Sequence, residues 1–288
     1  MSFSLLNKSF VVTIVLLISC ASFAIGFFTK KVKIISIPPL IEQNSACKSP
    51  LSDNPDTFDV YVTEGRIGYL VLGALCNNEV VKRQYGNVNL IIGRSDYDTF
   101  RYINHGIADL ALVKTNIVDA FAAELTQDLK TVASYPDYSA YFIALKEKPE
   151  LSKEYLLAKR IGLLDYPSSR SGHIVPKSVL QSLGLSNENT TIKYYNTHKE
   201  LRDMLRAGEV DIISSYWDNA DEKLLSSNYI TPLEQGVSGS RWYMKNPTRN
   251  SDLRCALHDI LKDVSLQHPK PYYHKLTLED KCVGESVQ

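Results

Sequence analysis

Ser168, Ser169, Arg170, Ser171 and Gly172 bring three hydroxyls, a guanidinium and a glycine into one short loop, after the apolar run 160–164 and before a predicted helix. Such a loop suits an anion. Free backbone N–H groups at a helix start point outward, the helix dipole adds partial positive charge, and serine hydroxyls donate without imposing a fixed charge. Arg170 adds a bidentate donor for phosphate, phosphonate or carboxylate. The plainer alternative is N-capping by a single serine, which needs no ligand.

Other chemistries find less support. No H-E-x-x-H, G-x-S-x-G or P-loop motif is present, and the segments Gly106-Ile107-Ala108-Asp109 and Gly208-Glu209-Val210-Asp211 lack the glycines of a dinucleotide site, so neither an enzyme nor a cofactor is expected. His268 and His274 flank Pro269-Lys270-Pro271-Tyr272-Tyr273, a spacing too weak to predict a metal. The chain of 288 residues carries 32 basic and 32 acidic side chains and no polybasic block, which argues against nucleic acid as a partner. Cys47, Cys76, Cys255 and Cys282 form an even set once Cys20 is set aside. In an exported chain that suggests two disulfides, and nearest-neighbour pairing gives 47 with 76 and 255 with 282. The other connectivities and buried free thiols stay open.

The elements that must position the loop read as α/β. Strands are expected at 58–62, 88–92, 108–113, 138–145, 160–164 and 192–195, alternating with amphipathic helices. Ser95-Asp96-Tyr97-Asp98 and Thr197-His198-Lys199-Glu200 resemble capping boxes. "Helix, G-x-[AV]-D, apolar strand" occurs twice, at Gly106 and at Gly208, which implies two similar lobes of mainly parallel sheet. The expected division is a signal or anchor segment over 1–33, a linker over 34–56, a discontinuous first lobe over 57–135 and 223–268, a second lobe over 136–222, and a tail over 269–288.

The run Lys159-Arg160-Ile161-Gly162-Leu163-Leu164-Asp165, Pro167 to Gly172, Pro176 and Leu183-Gly184-Leu185, followed by Thr197-His198, Ala207 to Asp211 and Trp217-Asp218, resembles the phosphonate/phosphate/phosphite binding proteins of ABC transporters. The resemblance implies a two-lobed type 2 periplasmic-binding-protein fold that closes on a small anionic or zwitterionic solute and passes it to a membrane permease. It implies that the serine loop holds the oxyanion, that His198 lies near it, and that Asp218 can meet a ligand ammonium. From the first lobe, Thr63 and Glu64, Ser95 to Tyr97, and Lys114, Thr115 and Asn116 face the cleft, and Tyr138 joins the candidate set. Arg170 departs from the small residue usual there, so it either reinforces anion binding or fills the pocket. Each choice has a plainer counterpart: His198 as a helix-start residue, Tyr138 and Trp217 as packing.

The N-terminus sets the compartment. Lys8 precedes an uncharged stretch from Phe10 to Phe28, and Lys30, Lys31 and Lys33 follow it. This fits a hydrophobic signal-anchor helix. Leu17-Ile18-Ser19-Cys20 has the form of a lipobox, with Cys20 as the lipidation candidate, and Ser22-Phe23-Ala24 that of a signal-peptidase site. The apolar continuation past Ala21 favours the anchor over the lipoprotein. The expected location is the periplasmic side of a bacterial inner membrane. A sensory module coupled to a membrane kinase or cyclase, or an interaction protein without a small-molecule ligand, are the other functions that fit.

Overall fold

The computed structural model describes residues 8–29, 43–48, 53–218, 220–279 and 282. The chain forms two compact units, 1–41 and 42–288. In the first, a helix runs from Lys8 to Thr29, and all side chains described along it, 10–24, are exposed. Among the described residues no helix is long and apolar enough to cross a membrane.

The second unit contains two sheets. Its strands are β1 (Gln43–Lys48), β2 (Thr57–Val62), β3 (Asn87–Ile92), β4 (Leu110–Lys114), β5 (Leu129–Ser134), β6 (Tyr138–Ala144), β7 (Arg160–Leu164), β8 (Thr191–Tyr195), β9 (Ile212–Tyr216), β10 (Ile230–Val237), β11 (Ser240–Lys245) and β12 (Thr277–Leu278). The first sheet has the order β1-β3-β2-β4-β11-β5-β12, the second β10-β6-β9-β7-β8. Dropping β1 and β12, the two orders are the same: β3-β2-β4-β11-β5 corresponds to β8-β7-β9-β6-β10. Each lobe is a right-twisted βαβ core completed by a strand next to the chain's crossings between lobes. Those crossings lie side by side at 135–137 and 238–239. A Cβ on Gly239 would stand 2.4 Å from the Tyr135 carbonyl oxygen and 2.5 Å from that of Pro136, so this approach requires glycine.

The repeated G-x-x-D segments do the same structural work in both lobes. Gly106 and Gly208 turn the chain out of a helix at φ +61° and +73°. Asp109 Oδ2 then accepts the Asp59 N–H at 2.9 Å, and Asp211 Oδ2 the Arg160 N–H at 2.8 Å, tying the third strand of each lobe to the start of the first. Arg160 also grips Asp211 through both carboxylate oxygens, at 3.0 and 2.7 Å. Lobe 1 has Asp59 in that place instead. Burial and the neighbouring Asp59 raise Asp109 to about 6, against the pull of the Asp59 N–H and Lys245. Its contribution to stability is therefore full below about pH 4 and is lost as pH rises through about 6. Asp109→Asn is expected to flatten that slope, read from chemical-denaturation midpoints at pH 4, 5, 6 and 7; an unchanged slope would remove Asp109 as its source.

Several expectations need correction. The sheets are mixed: β2 pairs in parallel with β3 and β4, and β7 with β8 and β9, while the remaining pairings are antiparallel. The strands beside the crossings return against the βαβ direction. β10 pairs with β6, so the second lobe extends to Val237 and does not end at 222. Part of the expected linker is β1, a polar edge strand held on β3. Part of the expected tail is β12 on the far edge, paired with β5. Of these two segments, 34–42, 49–52, 280–281 and 283–288 lie outside the described residues, as do Lys30, Lys31 and Lys33.

Disulfides Cys47–Cys76 and Cys255–Cys282 fasten these additions, the first joining β1 to the helix Gly65–Asn77 and the second joining the chain end to the helix Ser251–Gln267. Closing a loop with a separation of 27 residues is worth about 3–4 kcal/mol in the chain-entropy account. Cys255→Ser with Cys282→Ser is expected to lower unfolding free energy by 2–4 kcal/mol, measured by urea denaturation; a change under 0.5 kcal/mol would show that the bridge adds little. Cys20 is an exposed free thiol.

Candidate functional site

The lobes enclose a cleft of about 780 Å³. Its floor comes from strand ends of both sheets. Thr63 follows β2, Gly93 and Arg94 follow β3, and Lys114 ends β4; from lobe 2 come Tyr138 of β6, Tyr166 and the serine loop after β7, Asn196 to His198 after β8, and Tyr216 to Asp218 at and after β9. Strand ends from both halves meet here because each βαβ core directs its carboxyl edge to the crossing.

Lys114 is the most telling of these groups. It is partly buried at the cleft wall, and this desolvation lowers its ammonium to about 8 despite Asp96 nearby. Its contacts are the Ser168 carbonyl oxygen at 3.4 Å and the face of Tyr166 at 5.4 Å. No carboxylate pairs with it among the described residues.

The serine loop divides its tasks. Ser169 caps the π-turn Arg170–Ile174, its Oγ accepting the Gly172 N–H at 3.3 Å, so the plainer reading holds for it even as it lines the cleft. Ser171 is buried against the Tyr138 hydroxyl, and its carbonyl accepts the Ser214 hydroxyl at 2.7 Å. Ser168 does not line the cavity. Its N–H donates to Asp96 Oδ2 at 3.1 Å, and its carbonyl accepts from Lys114 and, at 3.5 Å, from Asn116 Nδ2, which latches lobe 1 to lobe 2. Gly172 also lies outside the lining, under Leu164; a Cβ there would come within 2.6 Å of that side chain. Arg170 stands behind the lining, where its charge acts on Lys114 and Tyr138.

His198 is partly buried, and its imidazole is brought down to about 3 by desolvation and then by the cations Arg202, Lys114 and Lys270. Its Nδ1 is taken by the Ser215 hydroxyl at 2.8 Å, which leaves Nε2 for a ligand. Behind it, Arg202 pairs with Asp221 at 2.5 and 2.8 Å and donates to the carbonyls of His198 at 3.1 Å and Tyr216 at 2.8 Å. This largely buried pair braces the backbone of His198, Tyr216 and Asp218 in the cleft wall.

The remaining predicted lobe 1 residues serve other purposes. Glu64 Oε2 caps the helix Gly65–Asn77 through the Ile67 N–H at 2.7 Å and lies 3.5 Å from His268. Ser95 forms a capping box with Asp98. Tyr97 faces solvent, and Thr115 is buried at the start of the helix Thr115–Ala120. The structure thus brings Thr63, Lys114, Tyr138, Ser169, Ser171, His198 and Asp218 together at the cavity.

Sequence reasoning missed the segment beyond the last long helix. Lys270, Pro271, Tyr272, Tyr273 and Lys275 all line the cleft. Tyr272 and Tyr273 stack around Tyr135, and Tyr272 donates to the Pro136 carbonyl at 3.2 Å. Two tyrosines and two prolines in seven residues were the available signal, since a solvated tail has no reason to carry them. Among the described residues no cluster could hold a metal ion.

No protein-family model and no curated protein sequence matches the chain. Solved structures do. A binding-protein component of an ABC phosphonate transporter from Pseudomonas aeruginosa aligns at 14% identity over 78% of this chain and 82% of its own, with a TM-score of 0.56. A Prochlorococcus marinus protein in complex with methylphosphonate aligns at 11% identity over 79% and 94%, with a TM-score of 0.54. A Xanthomonas citri protein bound to ATP aligns at 13% over 76% and 89%, with a TM-score of 0.50. The fold is that of the two-lobed type 2 periplasmic binding proteins.

Proposed function

We propose that this protein holds a small anionic solute between its lobes, on the periplasmic side of a bacterial inner membrane, and delivers it to an ABC transporter without altering it. Lys114 carries the reading. An ammonium desolvated at a cavity wall, with no salt bridge among the described residues, is costly, and an incoming anion offsets the cost. Lys270 and Lys275 line the same cavity, and among the described residues lining it the carboxylate is that of Asp218, so the cleft favours negative charge. The serine hydroxyls, His198 Nε2 and Tyr138 supply neutral donors suited to a tetrahedral oxyanion. The phosphonate transporter component and the methylphosphonate complex, which share the fold, support a phosphonate-like ligand. Enclosure by two lobes suits capture and release, with the Asp96, Lys114 and Asn116 contacts to Ser168 closing one side.

The test is a thermal-shift screen of the full chain with phosphate, phosphite, phosphonates, sulfonates, amino acids and polyamines. A ligand at 100 times its dissociation constant stabilises by about 2.7 kcal/mol. A shift with oxyanions alone supports the reading, and none with any oxyanion overturns it.

Attachment to the membrane rests on the stretch Phe10 to Phe28, nineteen residues without a charge, and on the exposed apolar side chains of its helix. Retention of that helix would favour a second reading, in which the lobes report ligand to a membrane kinase or cyclase. A neighbouring permease and ATPase gene supports delivery, a sensor gene the second role. Mass spectrometry of the N-terminal peptide separates a retained helix, acylation at Cys20 and cleavage.

A further inference from the structure

The acid expected to meet a ligand ammonium already has a cation beside it. Lys270 Nζ lies 3.8 Å from Asp218 Oδ2 and 6.0 Å from the centre of the Tyr216 ring. Asp218 and Tyr216 belong to lobe 2, whereas Lys270 comes from the segment that follows the helix Ser251–Gln267 of the first lobe. An ammonium between a carboxylate and an aromatic face is the arrangement that would recognise an amine. Here the chain supplies that amine itself.

We propose that Lys270 is a specificity-determining residue that fills the cation position of the cleft, so that the site takes oxyanions lacking an amino group and rejects their ω-amino counterparts. The inference rests on the anion-binding reading above and narrows its ligand class. Two physical points carry it. Among the described residues Asp218 is the carboxylate lining the cavity, so once Lys270 neutralises it a ligand ammonium finds no counter-charge there and meets Lys114 and Lys275 as well. The position of Lys270 is also constrained on both sides: His268 precedes it, buried, its Nδ1 accepting the Lys270 N–H at 3.2 Å, and Pro271, Tyr272 and Tyr273 follow it in the cavity wall. The segment continues through β12 to the Cys255–Cys282 bridge. The side chain of Lys270 is half exposed, so its ion pair contributes little to folding, and its removal tests selectivity without unfolding the protein.

The experiment is isothermal titration of the full chain and its Lys270→Met variant with two matched pairs, ethylphosphonate against 2-aminoethylphosphonate and ethanesulfonate against taurine. Like charges about 5 Å apart in a partly screened site repel strongly enough to change affinity about tenfold or more. The wild type is expected to prefer the amine-free member of whichever pair binds by at least about tenfold, and Lys270→Met to erase or reverse that preference. Adding Asp218→Asn to Lys270→Met should remove the gained affinity for the amine. Equal binding of both members by the wild type, or a ratio unmoved by Lys270→Met, overturns the inference while leaving the anion reading intact. Binding of no compound by either form overturns both.

Discussion

Lys114→Met is expected to weaken oxyanion binding roughly 10- to 100-fold while raising the stability of the ligand-free protein. The two effects have one origin. The ammonium is desolvated in the folded state, which brings it from an ordinary 10.5 to about 8, an order of 3 kcal/mol of unfavourable burial at neutral pH. Methionine fills similar space without that cost. An anion in the cleft makes a charge-assisted hydrogen bond to the ammonium and cannot do so to a thioether.

pH dependence supplies an independent check. Because the folded state releases the Lys114 proton first, stability of the wild type gains a rising component between about pH 8 and 10, absent from Lys114→Met. Anion affinity moves oppositely. It falls above about pH 8, by up to about tenfold per pH unit, when measured with an anion whose own charge is constant over that range. Thermal unfolding and titration calorimetry of both proteins at pH 7, 8, 9 and 10 read both trends. A variant that loses stability and affinity together would make Lys114 a structural residue and remove it from the ligand site.

Arg202→Met is expected to destabilise the fold by about 3–5 kcal/mol. The guanidinium and the Asp221 carboxylate are both largely buried, and removing one leaves the other charged without its partner. The carbonyls of His198 and Tyr216 lose their donor at the same time. Asp221→Asn should cost a comparable amount, whereas Arg202→Met combined with Asp221→Leu should recover much of the loss, since a buried ion pair is not better than apolar packing of the same volume. Urea denaturation measures all three. If the double variant is as unstable as the sum of the singles, the pair was not the cause. Among folded variants, affinity should also fall, because Arg202 holds the wall that carries His198.

The strand and helix pattern through 57–114 and 138–218 was legible because each lobe is built from local βαβ units, whose strands alternate with helices at short sequence distance; β5, which closes the first sheet from outside such a unit, was not expected. The repeated Gly106 and Gly208 segments carried further information, since a left-handed glycine and an aspartate three residues apart do one structural task twice. The serine loop was legible as a polar turn, but its division of labour was not. Ser168 differs from Ser169 and Ser171 in what stands opposite it, which depends on Asp96, Lys114 and Asn116 from the other lobe, and Gly172 is kept from the cavity by Leu164 of its own lobe. Capping boxes gave Ser95 and Thr197 their places, yet only Thr197 lines the cleft.

Local composition by itself determined the α/β class, the twofold internal pattern, an uncharged N-terminal stretch and the cysteine spacing from which Cys47–Cys76 and Cys255–Cys282 were expected. Tertiary structure alone decided that Lys114 is desolvated at the cleft wall beside Ser168, that β10 belongs to the second lobe, and that Lys270 reaches Asp218. These are contacts between residues far apart in the chain, set by how two sheets close on one another, and neither hydrophobic period nor turn chemistry records which distant side chain will stand across a cleft.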